Sequence, residues 1–409
     1  MKSKKITSHK VFNVAWRFAL IAIILIALMY AVLRGFMLLT ESKGGSHEEV
    51  ESEPRQVITI TEPFIGKAHF NNVVGKEDTL DIVKSKIDSA LHSVEIAVFS
   101  FASSELKEAL YAADRRGIKV TLILDKSQSE KHDVFFGDLP PSIKRIDAGT
   151  YSKNNSLGTT YMHNKFVIID RGFPSAEILT GSLNFTTLGG KYTQSFQIET
   201  RDTDIISIYG KEFDRLKSGV FGVKKLEDET YDPWAVTLNY SDSFIELWFS
   251  PGTTEESLKP RVLDLISSST KSIDIMMWEL TTDEIPYDLV AKAKEGVRVR
   301  VIASEARVTK KDSSIPYMQS VKVREGIDNL EIVLDTKLSR QSLDKLPDNF
   351  SPFIHHHMMI VDGKTLVMGS GNWSLWGFYH NDENALVTNN TYLISESQKT
   401  FDYFYEVLK

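Results

Sequence analysis

The sequence predicts an α/β fold built twice and preceded by one membrane-spanning helix. Three observations predict it. Apolar strand-like runs alternate with helical patterns along most of the 409 residues; the alternation recurs at a constant offset; and an unbroken apolar run, Phe18 to Leu33, stands near the N-terminus between Arg17 and Arg34. The 42% hydrophobic content supports a sizeable core and excludes a disordered or fibrous chain. A formal charge of -7, from 48 basic and 55 acidic residues, excludes a protein that coats polyanions with its whole surface, although not one with a local basic cleft. Cysteine is absent, so disulfides, thiolate metal sites and a cysteine nucleophile are excluded.

The apolar run is short for a span of about 20 residues. Val11 to Trp16 and Gly35 to Leu39 are also largely apolar and the flanking arginines can snorkel, so residues 1–40 are expected to form a cytoplasmic tip and a transmembrane anchor. Lys2, Lys4, Lys5, Lys10 and Arg17 precede the run, whereas Glu41, Glu48, Glu49, Glu51 and Glu53 follow it. This asymmetry predicts a single-pass protein with its N-terminus in the cytoplasm and the rest outside it. A cleaved signal peptide is the alternative; no A-x-A pattern follows Leu28, and either reading exports the remaining chain. Residues 41–56, rich in Glu, Ser and Gly, are expected to be a solvated linker.

Beyond the linker, strands are predicted at ITIT (58–61), VEIAVFSF (94–101), KVTLILD (119–125) and FVIID (166–170). Helices are predicted at DIVKSKIDSALH and at SSELKEALYAADRRG, the latter stopping at Gly117. Ser93-Val-Glu-Ile-Ala-Val-Phe aligns with Ser272-Ile-Asp-Ile-Met-Met-Trp, and Gly117-Ile-Lys-Val-Thr-Leu-Ile with Gly296-Val-Arg-Val-Arg-Val-Ile. In each pair the second stretch begins 179 residues after the first, since 272 minus 93 and 296 minus 117 agree. Duplication follows, with a first half over 57–235 and a second over 236–409. It also predicts that one chain completes the site, giving a monomeric active unit.

Each half carries a chemical motif. His163-Asn-Lys165 is followed by Asp170 and then by Gly181-Ser182-Leu-Asn184; His355-His-His357 is followed by Asp362 and then by Gly369-Ser370-Gly-Asn372. Residues two apart on a strand share a face, so His163 and Lys165 do. A histidine beside an ammonium, with Ser and Asn donors from the next turn, makes a pocket for a tetrahedral oxyanion such as phosphate. Three adjacent histidines also invite a metal reading, but only His355 and His357 share a face and no third-ligand motif accompanies them.

In these two H-x-K-x-x-x-x-D frames and G-S-x-N blocks the sequence resembles the phospholipase D superfamily, over about residues 60–409. The resemblance implies a duplicated fold of two mixed β-sheets flanked by helices and a phosphodiester substrate, either membrane phospholipid or nucleic acid. It implies that His163 takes up the phosphoryl group as phosphohistidine and His355 protonates the leaving alcohol. Lys165, Asp170, Asp362 and Glu383 complete the implied catalytic set, and Ser182, Asn184, His357, Ser370 and Asn372 the phosphate ligands. No metal or cofactor is implied. Asp170 and Asp362 are equally readable as turn residues.

Three departures qualify the resemblance. His357 stands where the family has lysine, which predicts lower activity or an acid preference, or loss of turnover altogether. The first hairpin is four residues longer around Gly172-Phe-Pro174. The stretch Tyr192 to Gln197 offers no counterpart of Glu383, which leaves the carboxylate in the His355 half. Trp373 to Trp376, with Phe378 and Tyr379, are expected either to pack the core or to rim the site.

Overall fold

The computed structural model describes residues 56–71, 78–131, 133–149, 160–282, 284–338 and 352–409. The expected anchor and nearly all of the linker lie outside the described residues. Among the described residues no helix is long and apolar enough to cross a membrane. Residues from Arg55 to Lys409 form one compact unit.

The strands in chain order are β1 (Val57–Thr59), β2 (Gly66–Phe70), β3 (Ser93–Val98), β4 (Lys119–Asp125), β5 (Lys144–Ala148), β6 (Lys165–Ile169), β7 (Glu177–Gly181), β8 (Phe196–Thr200), β9 (Trp234–Asn239), β10 (Phe244–Phe249), β11 (Ser272–Met277), β12 (Arg298–Ala303), β13 (Leu330–Leu334), β14 (Met358–Val361), β15 (Thr365–Gly369) and β16 (Asn384–Thr388). Among the described residues they build a seven-stranded sheet, β2-β8-β7-β6-β3-β4-β5, and a nine-stranded sheet, β1-β9-β10-β16-β15-β14-β11-β12-β13. Both are mixed: β3, β4 and β5 run parallel, as do β11, β12 and β13, and their other neighbours are antiparallel. From β10 to β13 the second order repeats the first, strand for strand. The duplication is therefore visible in topology as well as in the repeated segments.

β1, the expected ITIT strand, departs from the expected halves. It pairs in parallel with β9 and so belongs to the second sheet, although it lies in the chain segment assigned to the first. The edge of β9 away from β10 is otherwise unpaired, and a short strand laid along it satisfies those amides.

The principal helices are α1 (Thr79–Ser89), α2 (Ser104–Arg115), α3 (Thr203–Lys217), α4 (Leu258–Ser267), α5 (Glu284–Lys294), α6 (Ile315–Glu325) and α7 (Thr391–Leu408). Their ends are written in the sequence. The Ser103 hydroxyl caps α2 by accepting from Leu106, and beyond its C-terminus Gly117 takes a φ of 83°, which a side chain would resist. Asp202 caps α3 and Asn390 caps α7 at equivalent places.

Strand alternation distributes the core into layers. Phe166 and Ile168 of β6, with Met358 and Ile360 of β14, enter an apolar cluster that draws on both sheets and on α3 and α7. Val167 and Ile169 face the opposite way, against α1 and α2, and Met359 and Val361 face α4, α5 and α6. Each motif strand is buried on both sides, so its register is fixed at once by two cores. Rigid placement of the residues at its N-terminal end follows.

Candidate active site

Each motif histidine lies just before β6 or β14, and each is tied to the opposite half. Met162 bridges Asp382 in parallel, the His163 amide donates to the Asp382 carbonyl at 2.9 Å, and the Asp382 amide donates to Tyr161 at 2.8 Å. The mirror arrangement pairs Thr193–Gln194 with Phe353–Ile354, and the His355 amide donates to Gln194 at 2.8 Å. The two halves thus exchange short strands, and that exchange decides which carboxylate meets which histidine.

Glu383 crosses over. Its carboxylate lies 2.8 Å from Nδ1 of His163, not beside His355 as its place in the second half suggested. The residue in the corresponding position of the first half is Ser195, buried and with its hydroxyl unpartnered, so His355 has no carboxylate; its Nδ1 donates to the Ser182 carbonyl at 3.0 Å. Both rings then carry their proton on Nδ1 and leave Nε2 as a free lone pair. Lys165 joins the first pair: its Nζ is 3.1 Å from His163 Nδ1, and it donates to the carbonyls of His163 at 2.7 Å and Ser370 at 3.3 Å.

Burial dominates the electrostatics. It lowers the pKa of His163, Lys165 adds to the lowering, and Glu383 opposes it. Lys165 is itself pushed down to about 7 by burial, against the attraction of Glu383 and Asp125. His355 is held well below the ordinary histidine value by burial first and then by Lys165 and His163; His357 is lowered by burial, His355 and Lys165. In the free protein the histidines are neutral, which suits a nucleophile. An acid at His355 requires the charge that an anionic substrate brings.

The expected phosphate ligands divide. The Ser370 hydroxyl donates to Glu383 at 2.7 Å and accepts from the Asn384 amide, and Ser182 accepts from the Phe196 amide. Both serines therefore hold neighbouring backbone and, in Ser370, the Glu383 carboxylate, instead of standing free for phosphate. Gly181 and Gly369 permit this approach, since a Cβ there would sit 2.2 Å from the Phe196 carbonyl oxygen or 2.4 Å from that of Asn384. Asn184 and Asn372 keep buried side-chain oxygens without partners, and His357 keeps a buried, unpartnered Nε2 while its Nδ1 donates to Ser370 at 3.0 Å. The rings of His355 and His357 are 4.3 Å apart. His356 points instead into the core, between Phe70 and Phe404.

Asp170 and Asp362, expected either as catalytic or as turn residues, hold loop backbone apart from the histidines. They end β6 and β14 at the far side from the histidines, on the order of 20 Å away by strand rise. The Asp170 carboxylate accepts from the amides of Leu91, His92 and Ser93 and from the Ser175 hydroxyl. Asp362 accepts in the same way from Thr270, Lys271 and Ser272. Although burial raises both pKa values, these donors outweigh it and hold them below the usual carboxylate range.

Aromatic rings wall the site. Phe99 presents to His163 at 4.6 Å, and Trp278 stands 6.1 Å from His355. A cavity of about 30 Å³, room for roughly one water, reaches into the second half between Trp248, Trp373 and Phe378, with His357, Asn372 and Glu383 on its wall. Trp376 packs against His380 instead, the rings 5.1 Å apart and tilted by 43°. The sequence reading did not single out Asp125, whose carboxylate accepts from the Met162 amide at 2.9 Å and thereby fixes the strand before His163; burial pushes it up to about 6. Its signal, an acid ending an apolar strand, is common to many folds.

The family described as "Cardiolipin synthase, PLD-like domain" matches the chain twice, over residues 83–217 and 262–405, and the protein belongs to this phospholipase D-like family. Among curated relatives, a "Mitochondrial cardiolipin hydrolase" of Chlamydomonas reinhardtii is 27% identical over 36% of this chain and 58% of its own length. The protein of that name from Xenopus laevis is 33% identical over 31% and 55%. A "Phospholipase D" of Rickettsia felis is 28% identical over 31% and 58%. The chain thus spans little more than half the length of these relatives. In three dimensions it is similar to a phosphatidylserine synthase of Haemophilus influenzae, with a TM-score of 0.57 at 12% identity over 83% of this chain and 87% of that one, a likeness of fold.

Proposed function

We propose that the protein is a phosphodiesterase of the phospholipase D type that hydrolyses or transfers phospholipid head groups. The observation that carries this reading is the His163–Glu383 pair, formed across the two halves beside Lys165 and facing a second neutral histidine. Nε2 of His163 attacks phosphorus. The phosphorus–oxygen bond to the leaving alcohol breaks, and His355 supplies a proton from Nε2 to that oxygen. Water or another alcohol then attacks the phosphohistidine, returns its proton to His355 and frees His163. Glu383 stabilises the positive charge that grows on the His163 ring, while Lys165, His357, Asn184 and Asn372 surround the phosphoryl oxygens.

The substrate's charge explains how His355 becomes an acid. Burial keeps it neutral in the free protein, and a phosphodiester anion arriving between the rings favours its protonated form. The names of the curated relatives support a phospholipid over a nucleic acid. The apolar run from Phe18 to Leu33, as a single-pass anchor with a cytoplasmic N-terminus, would hold the site near a bilayer outside the cytoplasm. Both histidines come from one chain, so the active unit is a monomer.

The test is incubation of the protein with cardiolipin, phosphatidylcholine, phosphatidylglycerol and single-stranded DNA between pH 5 and 8, with acid-labile and alkali-stable phosphate sought on the protein. Lipid turnover with label on His163 is expected. Turnover of DNA alone would make it a nuclease, no turnover at all would leave a phosphate-binding homologue, and full activity in His163→Ala would remove the mechanism.

A further inference from the structure

We propose that Lys225, in the turn connecting the two halves, is a positioning residue that sets the His163–Glu383 pair. This rests on the phosphodiesterase reading for its kinetic consequence but not for its structural one.

Lys225 lies in the short helical turn Gly222–Glu227, between α3 and β9, and its side chain is fully buried. Few lysines are buried so completely, and those that are need partners. Here the partners are Asp382, 2.7 Å from Nζ, and Glu212 of α3, both also buried; Nζ further donates to the Ser250 carbonyl at 3.3 Å. The Asp382 oxygen that meets Lys225 also accepts from the Gly222 amide at 2.8 Å, and the other has no partner. Every grip on the Asp382 carboxylate therefore comes from this one turn.

Asp382 is the residue before Glu383, and its backbone is half of the exchanged strand that receives the His163 amide. The residue after Glu383 is held as well. Asn384 donates to Asn164 at 2.8 Å, and Asn164 lies 3.4 Å from Glu212, the second partner of Lys225. Ser250, whose carbonyl Lys225 touches, accepts the Glu383 amide on its hydroxyl at 3.1 Å and gives that hydroxyl to Asn381 at 2.7 Å. One ammonium thus joins the connector, α3 of the first half, the residue that follows β10 of the second and the segment bearing the Glu383 carboxylate. Its three contacts converge on the two sides of Glu383, and on nothing that faces substrate.

The consequence is geometric. Glu383 keeps His163 in the Nδ1-protonated form only while its carboxylate stays within hydrogen-bond distance of Nδ1, and a displacement of about 1 Å at such a group costs on the order of a hundredfold in rate. Without Lys225, Glu212 keeps Arg215 at 3.4 Å, whereas Asp382 is left a buried anion held only by the Gly222 amide, and it withdraws from the turn. The peptide that carries Glu383 moves with it.

The experiment uses the full chain with nitrogen-15 in its histidine rings, the His163 signals being identified by their loss in His163→Ala. Lys225→Met is expected to shift His163 from the Nδ1–H to the Nε2–H tautomer and to lower kcat on phospholipid about a hundredfold with KM little changed. If that variant does not accumulate folded, Lys225→Met with Glu212→Gln carries the same test. It removes one charge of each sign and still leaves the Asp382 carboxylate without its ammonium. A wild-type tautomer and wild-type kcat in either folded variant overturn the proposal. A wild-type protein without phosphodiesterase activity whose tautomer nevertheless responds to Lys225→Met would retain the positioning role and remove the functional reading instead.

Discussion

Glu383→Gln tests the crossed histidine–carboxylate pair most directly, because it changes the charge and hydrogen-bond polarity of one group and almost none of its volume. The carboxylate receives three donors: His163 Nδ1 at 2.8 Å, the Ser370 hydroxyl at 2.7 Å and the Asn381 amide at 3.4 Å. A glutamine offers one acceptor oxygen and an NH₂ group that must face a donor. The Ser370 hydroxyl cannot turn to accept it freely, since it already accepts from Asn384. His163 therefore loses either its charge-assisted bond or its tautomer. An amide in place of such a carboxylate costs roughly 10⁴ in kcat where geometry is retained, and each decade is about 1.4 kcal/mol of barrier, so a loss of about 10³ to 10⁴, or roughly 4 to 5 kcal/mol, is expected. The assay is head-group release from phospholipid vesicles at saturating substrate, with phosphohistidine trapping as a second readout. Activity of Glu383→Gln within about fivefold of wild type would refute the pairing, as would an intact burst of phosphohistidine followed by slow hydrolysis, which would move the role of Glu383 to the second step.

Four further substitutions test the surroundings. Burial depresses the Lys165 pKa to about 7, so between that value and the unfolded 10.5 the unfolded chain binds more protons and stability rises with pH; below 7 the folded state carries the full cost of a buried ammonium. Lys165→Met is accordingly expected to abolish turnover yet to raise stability near pH 6 by about a few kcal/mol at most, seen as a higher Tm, with the gain shrinking towards pH 10; a lower Tm at pH 6 would show that its carbonyl contacts outweigh that cost. Asp170→Asn and Asp362→Asn remove an acceptor from amide clusters remote from the histidines. Each is expected to lower the urea midpoint by about 2 kcal/mol of stability with kcat of the folded protein unchanged, and loss of kcat without loss of stability would return them to the catalytic set. His357→Lys places an ammonium where Nε2 now has no partner, and the pH optimum is expected to move upward; an unmoved profile would show that position 357 does not face the phosphate.

The strands and helices were legible because each carries a local signal. Ser103 and Gly117 bracket α2, and Phe166 to Ile169 alternate between two cores as a doubly buried strand must. The repeat predicted the common strand order of the two sheets. β1 was misplaced because an edge strand of Val57–Thr59 has no sequence mark for the sheet it joins. Asp170 and Asp362 were ambiguous for a related reason. Motif spacing fixes which face of a strand a residue occupies and says nothing about which end of the strand lies at the site, and the positive φ that lets each aspartate turn back onto the preceding loop is a property of the backbone.

The error over Glu383 has a deeper cause, and it changes how the degenerate second motif is understood. Sequence proximity assigns Glu383 to His355, and only the exchange of short strands between halves assigns it to His163. Applied to both halves, the same exchange sends Ser195 to His355. The two departures from the family pattern, serine for the carboxylate and histidine for the second lysine, then belong to one ring: Ser195 holds the position that corresponds to Glu383, and the His357 ring lies 4.3 Å from that of His355. His163 retains both of its partners, Lys165 and Glu383. A nucleophile must be oriented before substrate arrives, and this needs the fixed carboxylate. An acid that is recharged by the substrate's own anion needs no such partner, and losing it lowers the resting pKa of His355 without removing its proton donor at the moment of reaction. Under the proposed mechanism the second motif is therefore reduced only where reduction is tolerated, which would account for a histidine in place of lysine beside an intact His163–Lys165–Glu383 set.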